Sequence, residues 1–127
     1  VDSAKKRGFF SMKDFRNLNV WENAHKFVLS VYSATGKFPK EEIYGLTSQL
    51  RRAAVSIPTN IVEGSSRGSD KDFARFIQIS IGSASETEYL LILCHDLKYL
   101  NDNEFEKLHN EVINIRKMMI NLIKKLN

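Results

Sequence analysis

Residues 38–64 read FPKEEIYGLTSQLRRAAVSIPTNIVEG. Leu46, Leu50, Ala53, Ala54, Ile57 and Ile61 fall on one face when each residue advances about 100°, which is the pattern of an amphipathic helix. The segment opens at Pro39 or Gly45 and runs to Glu63, with Gly64 as its stop. Pro58 lies inside it. A proline there leaves the Ala54 carbonyl without its amide and crowds it with the ring, at a cost of about 3 kcal/mol. The expectation is one helix kinked at Pro58, its second half re-aiming Asn60 and Glu63.

Working outward, Gly64-Ser-Ser-Arg-Gly-Ser69 is a turn-rich loop, and Ser69 with Asp72 caps a third helix that runs to about Leu100. Its second half, Tyr89 through Leu100, is apolar on nearly every side, more than one core stripe uses. Asn101-Asp102-Asn103 breaks the chain before a fourth helix, 104–126. There Phe105, Leu108, Val112, Ile115, Met119, Leu122 and Leu126 step by three and four. Upstream, Asn19 and Glu22 read as a capping box opening a first helix over 19–35, stopped by Gly36 and Phe38-Pro39. Short links between long helices predict an all-α, antiparallel up-down-up-down four-helix bundle over residues 18–127.

Composition agrees with one helical domain: 127 residues, 43% hydrophobic and 27% charged, with only 6 glycines and 2 prolines for turns. The longest apolar run, Tyr89 to Cys94, is far shorter than the roughly 18 residues of a membrane span. A single cysteine excludes an internal disulfide and paired-cysteine zinc sites. Residues 1–17 hold five bases and two acids, so most of the net charge of +4 belongs to a basic N-terminal extension. Residues 1–11 are set aside from the fold as lying upstream of it. The body carries only +1, which weakens any argument from basicity alone to nucleic acid.

Catalytic and metal motifs fit this frame poorly. Glu-x-x-His occurs twice, at Glu22/His25 and Glu106/His109, the spacing used by di-iron bundles. Both lie in first turns, and in an up-down bundle helices 1 and 4 start at opposite ends, so the two cannot share a metal. The 64–69 loop lacks the phosphate-loop spacing and lysine, and Asp70 and Asp72 would repel an anion. Cys94 reads as a core thiol, and His95 has no local nucleophile arrangement. No enzyme, cofactor or metal is expected.

Helix 2 carries a different set. Arg52, Ser56, Asn60 and Glu63 share one flank, while Arg51, Val55 and Val62 lie behind the core stripe. Two readings stand: a solvated face with intrahelical pairing, and a surface for another subunit or a ligand. Arg51 and Arg52 are the candidate nucleic-acid contacts, because a guanidinium fork holds two phosphate oxygens. The competing role for Arg52 is a pair with Glu63 or a neighbouring subunit. Val55, Asn60, Val62, Glu63, Tyr89 and Leu93 are the candidate oligomer or partner surface.

The 38–64 stretch, with Leu18-Asn-Val-Trp21, Ser66-Arg-Gly-Ser69, Phe73, Phe76, Gly82-Ser83 and Glu86, resembles the four-helix-bundle family of 23S rRNA intervening-sequence proteins over residues 12–126. Val62 and Ser65 depart from that pattern. The resemblance implies a cytoplasmic, non-enzymatic homo-oligomer, a pentamer first, that contacts RNA or a nucleic-acid-processing protein, with accessory proteins of diversity-generating retroelements as a related branch. The alternative is a protein-only scaffold.

Overall fold

The structure is a computed structural model that describes residues 14–127; residues 1–13, most of the expected basic extension, lie outside the described part. Four α-helices make up most of it: α1 Asn19–Thr35, α2 Leu46–Ser65, α3 Asp70–Asp96 and α4 Asp102–Leu126. Among the described residues there is no strand. Each helix packs on its neighbours in sequence, and α1 closes the ring by packing on α4. Cross-helix bonds join the end of one helix to the start of a neighbour: Arg51 reaches Thr35 (α1 to α2), His95 reaches Asp102 (α3 to α4), and Lys37 pairs with Glu104 (α1 to α4). That is the pattern of adjacent helices lying antiparallel, with one apolar stripe from each buried between them. Phe27, Leu50, Ile57, Ile61, Phe73, Ile77, Leu91, Val112 and Met119 are fully enclosed.

The helix boundaries show what caps can do. α3 starts as expected, with Ser69 Oγ accepting from the Asp72 amide at 3.2 Å. α4 starts two residues earlier than expected, because Asn101 and Glu104 form a reciprocal capping box. The box expected at Asn19 and Glu22 does not form: Leu18 occupies the cap position, and Glu22 pairs with Lys26 at 3.0 Å. α2 starts at Leu46, where the Glu42 carboxylate accepts the Leu46 amide at 3.1 Å and, from the other oxygen, the Tyr99 hydroxyl at 2.9 Å. That carboxylate is held below its ordinary value by the Leu46 amide first and the Tyr99 hydroxyl second.

α3 ends at Asp96, four residues short of the expected end. Lys98 takes a left-handed conformation (φ 70°), and the Tyr99 amide returns to the Cys94 carbonyl at 2.9 Å. Such a stop normally uses glycine, so a lysine there gave no warning.

α2 is continuous through Pro58, which is buried. The carbonyls just ahead of the ring gain side-chain donors. Thr59 Oγ1 donates to Val55 O and Asn60 Nδ2 to Ser56 O, both at 2.8 Å, and Ser80 Oγ from α3 donates to Ile57 O at 2.7 Å. Gly64 is not a stop. It is helical and buried, and a Cβ there would sit 2.7 Å from Phe73 Cδ1 and 2.8 Å from Phe76 Cβ. The glycine lets α2 and α3 close. Helix propensity favours alanine by about 1 kcal/mol, but overpacking a filled contact costs about 1–3 kcal/mol. Gly64→Ala therefore lowers the urea midpoint; a raised midpoint would mean that propensity wins.

Candidate nucleic-acid and assembly surfaces

Arg51 is committed within the fold. Its Nε donates to Thr35 Oγ1 at 2.8 Å, and its guanidinium carbon lies 4.5 Å from the Tyr32 ring centroid. Thr35 is the last residue of α1, so this cation also sits at the negative end of that helix dipole. Arg51 clamps α2 to α1 by a hydrogen bond, a cation–π contact and the dipole at once.

Arg52 points the other way. It is exposed, has no hydrogen-bond or ion-pair partner among the described residues, and lines an open cleft of about 400 Å³ with Tyr44, Ser48, Gln49, Ser56 and Glu86. Tyr44, 95% exposed, stands at the rim. The competing Arg52–Glu63 pair is not formed within the chain: Glu63 bonds to Arg67 at 3.3 Å. Asn60 folds back on its own helix, and Ser56 Oγ meets Ser83 Oγ across to α3 at 2.7 Å.

The six expected surface residues do not form one patch. Val55 and Val62 lie on the flank of α2 that carries Arg51 and faces α1, whereas Asn60 lies on the flank that faces α3. On α3, Tyr89 is 60% exposed while Leu93 is half-buried against the core. These two belong to a longer outer stripe, Ile79, Gly82, Glu86, Tyr89 and Leu93, stepping by three and four. The core stripe of the same helix masks that second register in the sequence. Leu29 of α1 is exposed as well and carries no signal in the sequence, because single exposed apolar residues are ordinary.

The groups with catalytic or metal-binding potential are spent on packing. Cys94 is fully buried, and burial pushes its thiol up to about 11. His25 stacks on Trp21 at 5.2 Å, and His109 bonds not to Glu106 but to Glu88 of α3 at 3.0 Å. His95 and His109 both stack on Phe105, at 4.3 and 4.9 Å, and His95 bonds to Asp102 at 2.8 Å. Among the described residues no three His, Cys, Asp or Glu side chains converge on a point, and no helix is long and apolar enough to cross a membrane.

Glu88 is the hub joining α3 to α4. Arg116 Nη1 donates to it at 2.6 Å, and this hydrogen bond is the main cause that holds the carboxyl below its ordinary value, against the opposing effect of burial. A depressed carboxyl stabilises the fold above its unfolded value, and the contribution disappears as pH falls through the folded one. Glu88→Gln is accordingly less stable by about 1–2 kcal/mol at neutral pH, and its stability curve meets that of the unaltered protein in acid. Parallel curves over the whole acid range would contradict this. Arg51→Ala costs about 1–2 kcal/mol in urea unfolding, whereas Arg52→Ala stays within about 0.5 kcal/mol. Equal losses would contradict the separate roles.

The sequence profile of the 23S rRNA-intervening sequence protein family matches residues 16–121. A crystal structure of a protein of unknown function from the S23 ribosomal protein family of Bacteroides thetaiotaomicron superposes with a TM-score of 0.77, at 27% identity, over 83% of this chain and 95% of that one. No curated protein sequence matches. With the profile spanning nearly the whole bundle, the chain belongs to the 23S rRNA-intervening sequence protein family.

Proposed function

We propose that the protein is a non-enzymatic, self-assembling four-helix bundle that contacts RNA or a ribonucleoprotein partner. The observation that carries assembly is the outer stripe of α3. Ile79, Gly82, Glu86, Tyr89 and Leu93, stepping by three and four, run along the outside of a bundle whose core is already filled, which supports a second helix packing there, and Gly82 leaves room for a close approach. The occupant proposed for this stripe is a second copy of the chain, in a closed ring with a pentamer as first choice. The commitment of Cys94, His95 and His109 to packing supports the absence of catalysis.

Family membership supports the RNA contact, while Arg52, though partnerless, shares its cleft with the Glu86 carboxylate, which opposes a phosphate there. The protein-only scaffold stays as a second reading because Arg51, the other candidate, is spent on α1. In light scattering the protein has a mass that is a multiple of 14.6 kDa, and Tyr89→Lys shifts it toward the single-chain mass with unchanged helical content. A monomer at every concentration overturns the assembly.

A further inference from the structure

The near-neutral body conceals a charge separation along the bundle axis. The halves that meet at the start of α1, the α2–α3 loop and the end of α4 are residues 14–27, 56–83 and 114–127, with nine bases against five acids. The opposite halves, residues 28–55 and 84–113, hold six bases against nine acids. In an antiparallel bundle the helix dipoles largely cancel, so side chains decide the potential at each end. At the basic end Asp14, Glu22, Glu63 and Asp72 pair with Arg16, Lys26, Arg67 and Arg75. Lys71, Lys117, Lys124 and Lys125 are exposed and have no acidic partner among the described residues. The described chain enters the bundle at this end.

A cleft of about 340 Å³ opens at this same end, between the start of α1 and the end of α4. Leu18, Val20 and Leu122 give it an apolar floor, Asn17, Asn19 and Asn121 give it amide edges, and Lys125 stands on its border. None of those three asparagine side chains has a partner among the described residues. Arg52, by contrast, lies in the acidic half and shares its cleft with Glu86.

We infer that single-stranded RNA meets this protein on the basic end of the bundle, its phosphates on Lys117, Lys124 and Lys125 and one unpaired base in the cleft between α1 and α4. The inference rests on the RNA-contact reading and relocates its site. The chemistry fits an unstacked nucleotide: apolar surface takes the base face, amides pair with base edges, and lysine supplies the phosphate charge. A base locked in a duplex offers neither its face nor its pairing edge to such a cleft.

The test is fluorescence anisotropy of a labelled 20-nucleotide single-stranded RNA across a salt series. The proteins compared are the full chain, a Lys117→Gln/Lys124→Gln/Lys125→Gln variant, Asn121→Ala and Arg52→Gln, with fold and mass checked by circular dichroism and light scattering. The triple variant loses at least about tenfold in affinity, and its log–log salt slope falls by about 2, as expected for three lost single-strand phosphate contacts. Asn121→Ala weakens binding with an unchanged slope, and Arg52→Gln stays within about twofold. The placement is overturned if Arg52→Gln takes the slope while the triple variant keeps it. Equal affinity for a fully paired hairpin overturns the base seat. If the unaltered chain shows no salt-dependent binding at all, the RNA-contact reading itself fails, whatever the variants do.

Discussion

The close approach of α2 and α3 is the constraint on which the remaining structure depends. Three small side chains and one missing one make it: Ser56 meets Ser83, Ser80 reaches the Ile57 carbonyl, and Gly64 lies where any Cβ would strike Phe73 and Phe76. The contact also reaches the turn that holds Pro58. A proline inside a helix strands a carbonyl and loosens the turn before it. Here Thr59, Asn60 and Ser80 bring donors to the carbonyls of that turn, and the last of these comes from α3. The Ser80 bond exists only while α3 is docked, which couples this turn of α2 to tertiary packing.

Around that pair, polar clips hold the other interfaces. Arg51 fastens α2 to the end of α1, Glu88 fastens α3 to α4 through His109 and Arg116, and Lys37 with Glu104 joins the end of α1 to the start of α4. These groups sit at the edges of the core, where charge stays partly solvated and the desolvation cost stays moderate. One consequence bears on the proposed RNA contact. A cation used as a clip is withdrawn from ligand binding, so the cations left over, rather than the total, decide where a polyanion can land.

Much of the fold was legible because its signals are local. The apolar stripes of α1, α2 and α4 recur at helical spacing, Ser69 caps α3, and α1 spans the expected residues. Other features were hidden for physical reasons. Gly64 reads as a stop, and only the neighbouring phenylalanines reveal it as a packing residue. Lys98 in a left-handed turn carries no glycine to announce it. Glu42 caps α2 from four residues ahead of Leu46, outside the usual capping frame. Of the candidate site, the arginine pair was visible but its division was not, because adjacent helical residues point about 100° apart and only tertiary contacts show which one meets α1. The charge separation was invisible in the net charge, since it arises only when the chain folds back on itself.

Native-state hydrogen exchange in low denaturant tests the α2–α3 constraint most directly, because it resolves the opening free energy of each amide. If α3 holds α2 together across Pro58, the amides of Leu50, Ile57 and Ile61 in α2 and those of Ser80 and Ala84 in α3 exchange only through global unfolding, with one common free energy and denaturant dependence. If instead residues 59–65 open at markedly lower free energy while Leu50 and Ala84 remain protected, the half of α2 beyond Pro58 is held independently of α3, and the account is contradicted.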